Sequence, residues 1–444
     1  VAGPGSGKTT TLVERAHYLF TEQSVPTDNI CILVFNKDIA IKLKKDIKHK
    51  FGDSDAPHTS TVHSFILSQT LKHGAQLLGD FEIGDNLGNL GVKELIFKPI
   101  TRRLKEKHGI TKTPDGKELR VDYIAKKLWS DLRNYWLTTD EVTDTLFQKF
   151  KYEVERFKNI FNVIFFDELA IKFLKEVEAN NAFREAVKKE KIIIDEFQDL
   201  NPTEHALLKS FHDAGVEFMC FGDDDQAINE FRKANADLIG DFKTAYSPTE
   251  YSLPRDRRCP KEILDLADSF VSFLPGRLVK LPGSAAHKGK VDILEFADDE
   301  QERDNLLKIV SKFLEKSIGA LENPEVLILS SRLGGASNKS RIEEIVEALK
   351  AGGIEDVSSG EFKDPLDTPF GLAFRGLLTV LNKPTSSLGL YILYTFVNPK
   401  LVKELLKYLE NEEQKGNSLS FFAAYEVVKE KNEDERRLFY VALT

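Results

Sequence analysis

Residues 2 to 9 have the sequence AGPGSGKT, and this glycine-rich run constrains the fold more than any other part of the chain. Its glycines let backbone N–H groups wrap around phosphate oxygens, and the N-terminus of a following helix adds a positive dipole. The motif needs such a helix, and the pattern from Thr10 to Phe20 predicts one. Lys8 is then placed to reach the β- and γ-phosphates of ATP, and the Thr9 hydroxyl is placed to bind Mg²⁺. The predicted nucleotide site consists of Gly3, Gly5, Ser6, Gly7, Lys8, Thr9 and Thr10.

Two acidic residues end a predicted strand further along the chain. Asp195 and Glu196 follow the apolar run at 192–194 directly. At the carboxyl end of a strand, Asp195 can hold Mg²⁺, and Glu196 can orient and deprotonate the attacking water. The run at 163–166 offers a rival pair, Asp167 and Glu168. We prefer the pair at 195–196 because QD at 198–199 and GDDDQ at 222–226 follow it, and we assign the rival pair to a structural helix.

Gln226 lies just past the predicted strand at 217–221. An amide at this point can hydrogen-bond the γ-phosphate and report its loss. This gives a mechanical link between hydrolysis and the contacts of Phe231 and Arg232, which follow closely in the sequence.

Strand and helix patterns alternate around these motifs. Short apolar runs at 31–35, 191–194 and 217–221 predict buried strands, and helical spacing predicts a helix over 39–50. Such alternation gives an α/β domain with a parallel sheet. Residues 71–185 lie between these elements, are rich in helix formers and predict a helical insertion.

The pattern starts again after about residue 248. Apolar runs at 291–294 and 326–329 predict strands, residues 341–351 predict a helix, and residues 365–431 again have helical spacing. The sequence therefore predicts a first α/β domain from 1–70 and 186–247, with its insertion at 71–185. A second α/β domain follows from 248–360 and 432–444, with an incomplete helical insertion at 361–431.

Composition bears on the partners of the chain. The 444 residues carry a net charge of −9, so any nucleic-acid contact needs a local basic groove. Residues 98–133 are locally basic, and either nucleic-acid contact or a solvated helical face explains them. No apolar run of 18 residues occurs, so no membrane span is expected. The three cysteines lack CxxC spacing and favour a reducing compartment, the cytoplasm or, in a eukaryote, the nucleus.

Seven segments, in their order along the chain, resemble superfamily 1 helicases of the UvrD/Rep type. They are AGPGSGKTT at 2–10, VFNKDIA at 34–40, TVHSF at 61–65, IIIDEFQDLNPTE at 192–204, GDDDQAINEFRKA at 222–234, RRCPKEIL at 257–264 and DERRLFYVALT at 434–444. A phosphate loop alone is common to many families. DEFQD followed by GDDDQ and ERRLFYVALT is highly specific to this one.

The resemblance implies two RecA-like P-loop motor domains with inserted helical domains, which bind ATP and Mg²⁺ and move 3′ to 5′ along single-stranded DNA. Arg258 matches the family arginine that reaches the γ-phosphate, where a guanidinium neutralises developing charge. Aromatic side chains in the DNA track stack on bases, and core packing is the alternative for the phenylalanines among them. The positions that match the track are Phe35, Asn36, Lys37, Thr61, His63, Phe65, Phe231 and Arg232.

Several departures from the family pattern bear on these expectations. Asn229 stands where the family has an aromatic residue, and Asp256-Arg257 stands where it has Asn-Tyr. The glycine-containing HxxKGLE-type motif is not found, and the chain starts inside the phosphate loop and stops before a terminal arginine. We expect the chain to be part of a longer protein, with residues omitted near 431–433. A degenerate motor that binds ATP poorly is the alternative.

Together these features predict an ATP-hydrolysing DNA helicase that acts on single-stranded DNA or a junction of single and double strands. A translocase, or a motor subunit that needs a protein partner to unwind DNA, is one alternative. A catalytically inactive nucleic-acid-binding protein is another, although Lys8, Asp195, Glu196 and Gln226 are all present. A motor that moves on RNA is the third.

Overall fold

The structure is a computed structural model that describes residues 5–52, 55–84, 91–138, 142–223, 238–253, 256–272, 289–317, 326–328, 341–354, 357 and 368–429. The chain divides into two compact units, one formed by residues 1–289 with 366–444 and the other by residues 290–365. The described elements are mostly helices around a parallel sheet, which confirms the predicted α/β class.

Helices make up most of the described chain. Two π-helical turns, Val92–Phe97 and Ile124–Leu128, lead into α5 and α6, and a three-residue helical turn, Val121–Tyr123, precedes the second of them. The helices are α1 Lys8–Thr21, α2 Lys37–Phe51, α3 Val62–His73, α4 Ala75–Leu78, α5 Lys98–Glu106, α6 Trp129–Thr138, α7 Thr145–Phe161, α8 Phe166–Ala179, α9 Asn181–Val187, α10 Pro202–Asp213, α11 Leu238–Tyr246, α12 Lys261–Val271, α13 Asp299–Ser317, α14 Arg341–Ala351, α15 Pro369–Asn382, α16 Ser387–Val397, α17 Pro399–Gln414 and α18 Phe421–Lys429.

Four parallel strands form the main sheet. They are β1 Ile30–Val34, β2 His58–Thr61, β5 Lys191–Ile194 and β6 Glu217–Cys220, in the spatial order β2-β1-β5-β6. Val34 pairs with Thr61, and Ile194 pairs with Leu33 and Cys220, so the carboxyl ends of all four strands lie along one edge. The three predicted strands in this region are confirmed. A separate pair joins β3 Glu82–Ile83 to β4 Val163–Ile164.

Helices cover both faces of this sheet because its central strands are apolar on both sides. Along β1, Ile30 and Ile32 pack against α1 and α2. Cys31 and Leu33 point the other way, into a second core formed with α3, α8 and α10. The predicted helices over 10–20 and 39–50 are thus confirmed as one layer of a three-layer arrangement.

The region between β2 and β5 is mostly helical, as predicted, but its helices divide between two cores. Phe173 of α8 and Val187 of α9 are fully buried in the core beneath the sheet. The helices of residues 91–161 pack into a different core. The insertion boundary near residue 185 stays a prediction, and α8 and α9 pack as part of the sheet domain.

The second helical segment, residues 368–429, completes that other core. Tyr391 and Phe421 stack against Phe161 of α7, with ring centroids 4.3 and 5.4 Å away. Both are almost fully buried, at 4% and 0% exposure. Within 365–431, the prediction of helices is confirmed for the described residues 368–429. The two helical segments, far apart in sequence, share one continuous core, which the sequence pattern did not indicate.

Ion pairs also join these two segments. Glu153 of α7 is 1% exposed, and its carboxylate accepts hydrogen bonds from Arg103 Nε at 2.6 Å and His108 Nε2 at 2.7 Å. Arg103 also pairs with Glu410 of α17. The Arg103 guanidinium therefore bridges a buried carboxylate of one segment and an acidic residue of the other.

In the second unit, one predicted helix is confirmed and two predicted strands are wrong. Its helix α14 confirms the predicted helix at 341–351, and it packs against α13 around Val310, Ile345 and Leu349. No strand forms at 291–294 or, in the described part of 326–329, at 326–328. Ile293 and Leu327 are 87% and 82% exposed. An apolar run becomes a strand only when a neighbouring strand satisfies its backbone, and the described residues offer none here.

Candidate functional site

The predicted site residues meet at the carboxyl edge of the sheet. Phe35 follows β1, Thr61 ends β2, Asp195 follows β5, and Asp223 comes shortly after β6. Because the four strands are parallel and in register, these residues share one edge. Ligands of open parallel sheets bind at this edge.

The described part of the glycine loop, residues 5–7, has a backbone suited to phosphate binding. Gly5 and Gly7 adopt positive φ values of 67° and 96°, a conformation that residues other than glycine disfavour. Helix α1 starts directly afterwards, at Lys8, and Thr9 and Thr10 are exposed in its first turn. Ser6 is 8% exposed. The structure thus confirms the predicted loop-to-helix arrangement, while Gly3 lies outside the described residues.

Lys8 lies against the predicted base. Its Nζ is 3.3 Å from Glu196 Oε2, across 188 positions of sequence. The structure therefore brings the phosphate loop and the acid pair together, as predicted. The rival pair serves elsewhere: Asp167 pairs with Arg133 at 3.3 Å and Glu168 with Lys158 at 2.9 Å.

Asp195 is a buried carboxylate, at 4% exposure. Burial raises the pKa of Asp195 to about 6, the neighbouring Glu196 charge adds to the rise, and Lys8 opposes it. The raised pKa means that the ionised carboxylate is costly to bury, and the charge of a bound divalent cation would offset that cost. Asp195 therefore fits the predicted metal role, together with the exposed hydroxyl of Thr9.

Glu196 stands in an uncommon backbone conformation. Its φ is 52°, in the left-handed region that a non-glycine residue enters at a cost of about 1–2 kcal/mol. Its backbone N–H donates to Asp195 Oδ1 at 3.1 Å. Strain of this kind clusters at functional sites, and here it aims the carboxylate toward the phosphate loop rather than along the strand.

Gln198 is a site residue to which the sequence analysis assigned no role. Its side chain is 1% exposed and bonds both Glu196 Oε2, at 2.7 Å, and the backbone N–H of Asp223, at 3.0 Å. The sequence signal that could have indicated this role is a glutamine two residues after Glu196. The turn Phe197–Asp199 places that glutamine at the same edge of the sheet as the acid pair.

The segment that carries Arg258 docks on the glycine loop. The Arg257 N–H donates to the Gly5 carbonyl at 2.9 Å, and a Cβ built on Gly5 would lie 2.6 Å from Arg258 Cβ. Asp256 orders this segment by accepting from the N–H groups of Arg258 and Cys259, at 2.6 and 2.8 Å. The structure thus places Arg258 beside the glycine loop, and its contact with the γ-phosphate stays a prediction.

Four of the predicted track residues lie at the ends of β1 and β2. Phe35 is half-buried, and Asn36 and Lys37 are exposed. Asn36 caps α2 by accepting from the Asp38 N–H at 2.7 Å. Thr61 caps α3 by accepting from the Ser64 N–H at 3.2 Å. These residues stand side by side at the edge, and their contact with nucleic acid stays a prediction.

His63 lies between two carboxylates. Its Nε2 is 3.8 Å from Asp167 and its Nδ1 is 3.6 Å from Glu204. Burial would raise the pKa of Asp167, but the hydrogen bond of His63 and the charge of Arg133 lower it below its ordinary value. His63 thus ties the start of α3 to α8 and α10, and its predicted contact with DNA stays a prediction.

The structure corrects the prediction that Phe65 lines the DNA track. The side chain is fully buried, at 0% exposure, and its ring lies 6.4 Å from that of Phe211 and 5.9 Å from that of His58. It faces the core because it lies on the inner side of α3, with Val62 and Ile66. A stacking role for Phe65 is therefore wrong. Gln226, Phe231 and Arg232 lie outside the described residues.

The basic segment 98–133 is largely neutralised within the described part of the chain. Lys98 pairs with Glu94, Lys105 with Glu118, and Lys127 with Asp131. Paired lysines leave little unbalanced charge to attract phosphates. Of the two explanations that the sequence left open for this segment, the structure favours the solvated helical face.

A parallel sheet with a glycine loop, a following helix and an acid pair at one edge is the arrangement of P-loop nucleotide-binding domains. The sequence pattern of the "UvrD/REP helicase N-terminal domain" matches residues 1–247, more than half of the 444 residues. The chain belongs to the UvrD/REP helicase family.

Relatives among curated proteins agree with this assignment. The chain is 25% identical over 422 residues to "ATP-dependent DNA helicase UvrD1" of Mycobacterium leprae, which covers 88% of the chain and 53% of that protein. It is 25% identical over 365 residues to "Putative ATP-dependent DNA helicase YjcD" of Bacillus subtilis, covering 78% and 45%. It is also 25% identical over 341 residues to "ATP-dependent DNA helicase PcrA" of Staphylococcus epidermidis, covering 74% and 45%. The chain spans about half the length of these relatives. Among the described residues, no helix combines the length and apolar character needed to cross a bilayer.

Proposed function

We propose that this chain is the motor part of an ATP-dependent DNA helicase that moves 3′ to 5′ along single-stranded DNA. The observation that carries the proposal is the meeting of Lys8, Glu196 and the Arg258 segment at one sheet edge. These residues come from three distant parts of the sequence. Their chemistry is that of γ-phosphate transfer to water, and the relatives named above are DNA helicases.

In this proposal ATP binds with its phosphates in the glycine loop. Backbone N–H groups of residues 5–8 and the N-terminus of α1 hold the β- and γ-phosphates. Lys8 turns from Glu196 to the phosphates. When bound, Mg²⁺ would be held by Thr9 and Asp195 and would neutralise charge on the phosphate oxygens.

Glu196 then serves as the general base. Once Lys8 is engaged by phosphate, the Glu196 carboxylate is available to take the proton of the attacking water. Arg258 neutralises charge that spreads over the γ-phosphoryl oxygens. The backbone of its segment already rests on Gly5, so a short side-chain movement is enough. Gln226, by its place in the sequence, would report the loss of the γ-phosphate.

The nucleic-acid path is proposed along the same edge of the sheet. Phe35 offers a half-exposed ring for stacking on a base, and Lys37 an exposed ammonium for a phosphate. Thr61 and His63 lie on the neighbouring strand end and helix. Phe231 and Arg232 would extend this path. A single strand along this edge passes close to the acid pair, so that hydrolysis and DNA contact are a few side chains apart.

The domain organisation is part of the proposal. Residues 1–70 and 186–247 would form the first RecA-like motor domain, with residues 71–185 inserted in it. Residues 248–360 and 432–444 would form the second motor domain, with residues 361–431 inserted. The match of the family pattern to residues 1–247 supports the first of these boundaries.

A translocase with little unwinding of its own is a second candidate. The described helices of 368–429 share one core with those of 91–161 and are tied to them through Arg103. A segment packed in this way is held to the helices of 91–161 and does not move independently of them, which favours a motor with limited unwinding of its own. Strand displacement by the protein alone, set beside streptavidin displacement from single-stranded DNA, separates the two functions.

The proposal is tested by steady-state ATP turnover with and without single-stranded DNA. The expected result is strong stimulation by DNA in the wild-type protein. Lys8→Ala and Glu196→Gln should each abolish the stimulated rate. Glu196→Gln should still bind ATP, because the base is not needed for binding. Turnover that survives in Glu196→Gln would refute the assignment of the base.

A further inference from the structure

The Gln198 side chain connects two parts of the site that the proposed mechanism treats separately. Its Nε2 donates to Glu196 Oε2 at 2.7 Å, and its Oε1 accepts from the Asp223 N–H at 3.0 Å. The side chain is 1% exposed, and Asp223 is fully buried. Water therefore does not compete for the bond with the Asp223 N–H, while the Glu196 side chain keeps 22% of its surface exposed. The two bonds together hold the amide in one place.

The orientation of this amide follows from its partners. The Asp223 N–H can only donate, so it requires the carbonyl oxygen of Gln198. A carboxylate can only accept, so Glu196 requires the NH₂ group. In the opposite orientation the NH₂ group would face the Asp223 N–H, donor against donor, and the amide oxygen would face the Glu196 carboxylate, acceptor against acceptor. Gln198 thus joins the Glu196 carboxylate on one side to the backbone after β6 on the other.

This bond leaves Glu196 with one oxygen for chemistry. In the structure Glu196 Oε2 accepts from both Gln198 and Lys8, at 2.7 and 3.3 Å. Phosphates bound in the glycine loop would draw Lys8 away. Gln198 would then still hold Oε2, so that Oε1 faces the water to be deprotonated. A base whose second oxygen is fixed by a neighbour is the usual form of an oriented catalytic group.

The other end of the Gln198 side chain contacts the backbone of Gly222 and Asp223. A Cβ built on Gly222 would lie only 3.1 Å from Gln198 Oε1, so this backbone cannot approach without displacing the amide. Gln226 comes three residues after Asp223 in the sequence. A displacement of residues 222–223 is therefore transmitted, through one rigid side chain, to the carboxylate of Glu196.

We propose that Gln198 is a positioning residue that sets the orientation of the Glu196 base according to the position of the backbone after β6. The inference rests on the proposed ATP-hydrolysing function and adds a coupling element to it. It predicts that the gain in ATP turnover on binding single-stranded DNA depends on Gln198, although Gln198 touches neither ATP nor DNA.

The test is ATP turnover by Gln198→Glu, measured as kcat and KM with and without single-stranded DNA. Glutamate keeps the shape and still accepts from the Asp223 N–H, but it repels Glu196. The DNA-stimulated kcat should fall about 10- to 100-fold, the range typical when an orienting partner is lost. The KM for ATP should change by no more than about twofold. A fall in kcat with an unchanged KM is not the result expected from general structural damage. Gly222→Ala, which displaces the amide from the other side, should lower the stimulated kcat in the same direction but less.

Gln69→Glu is the matched control. Gln69 is another buried glutamine, at 7% exposure, on α3, so its substitution tests whether a buried negative charge alone lowers turnover. It should leave kcat and the stimulation by DNA intact. Wild-type stimulation together with unchanged Gln198→Glu kinetics would overturn the inference and leave the proposed function standing. Equal losses in Gln198→Glu and Gln69→Glu would overturn it as well. Absence of turnover in the wild type would instead refute the proposed function.

Discussion

Replacement of Asp195 by asparagine should stabilise the metal-free protein while it destroys the ATPase. Asp195 is 4% exposed, and its pKa is raised by burial, and further by Glu196, from 3.8 to about 6. The ionised carboxylate is therefore held in the folded chain against its preference for water. Asparagine has the same shape and no charge to bury, so the variant escapes this cost.

The magnitude follows from the pKa of Asp195. Because the folded pKa lies above the unfolded one, the folded chain binds more protons between pH 3.8 and about 6, and stability falls as pH rises through that window. Each pH unit is worth about 1.4 kcal/mol. The cost above pH 6 is then about 3 kcal/mol, which Asp195→Asn should recover at pH 7 and not at pH 4.

The assay is thermal or urea unfolding in EDTA at pH 4, 5, 6 and 7, followed by a titration with Mg²⁺ at pH 7. The difference in the free energy of unfolding between Asp195→Asn and wild type should increase as pH rises. Mg²⁺ should decrease this difference by stabilising the wild type alone. A variant that is less stable than wild type at pH 7, or a gap that does not depend on pH, would refute the account of Asp195 as a buried charge awaiting a cation.

Three further substitutions test the burial and the contacts of single side chains. Phe65→Ala should lower the free energy of unfolding by about 3–5 kcal/mol, as expected for a buried phenylalanine. Phe35→Ala should lower the free energy of unfolding by less than Phe65→Ala does, because Phe35 is only half-buried, and it should weaken single-stranded DNA binding by about 1–3 kcal/mol. Denaturant melts and fluorescence anisotropy check both, and the reverse pattern would contradict the placement of the two rings. Glu153→Ala should cost about 3–5 kcal/mol, because it leaves Arg103 and His108 without their buried partner. Its melt should show the helices of 91–161 and 368–429 unfolding together, and hydrogen exchange in which the two segments open independently would count against a shared core.

The nucleotide edge could be predicted from the sequence because its signals are local. Glycines in a short run permit only certain backbones, and an apolar run followed by acids marks the end of a buried strand. Parallel strands then carry these ends to the same edge. The meeting of Lys8 with Glu196, and of the Arg258 segment with Gly5, follows from that geometry together with the resemblance to the family.

The errors came where burial depends on partners distant in sequence. Phe65 sits in a motif of the track, but the inner face of α3 turns it toward Phe211, which no local pattern reveals. The runs at 291–294 and 326–328 are apolar like true strands, yet the described residues give them no neighbour to pair with. The common core of 91–161 and 368–429 depends on contacts such as that of Phe161 with Tyr391, which join residues 230 positions apart in the sequence.

Directional movement on single-stranded DNA distinguishes a motor from a passive DNA-binding protein. Oligonucleotides with biotin at the 5′ or the 3′ end are loaded with streptavidin, and its ATP-dependent release is followed with wild type and with Lys8→Ala. The account predicts rapid release from the 5′ end, slow release from the 3′ end, and neither with Lys8→Ala. Tight DNA binding without ATP-dependent release from either end would contradict the assignment of this chain as a motor.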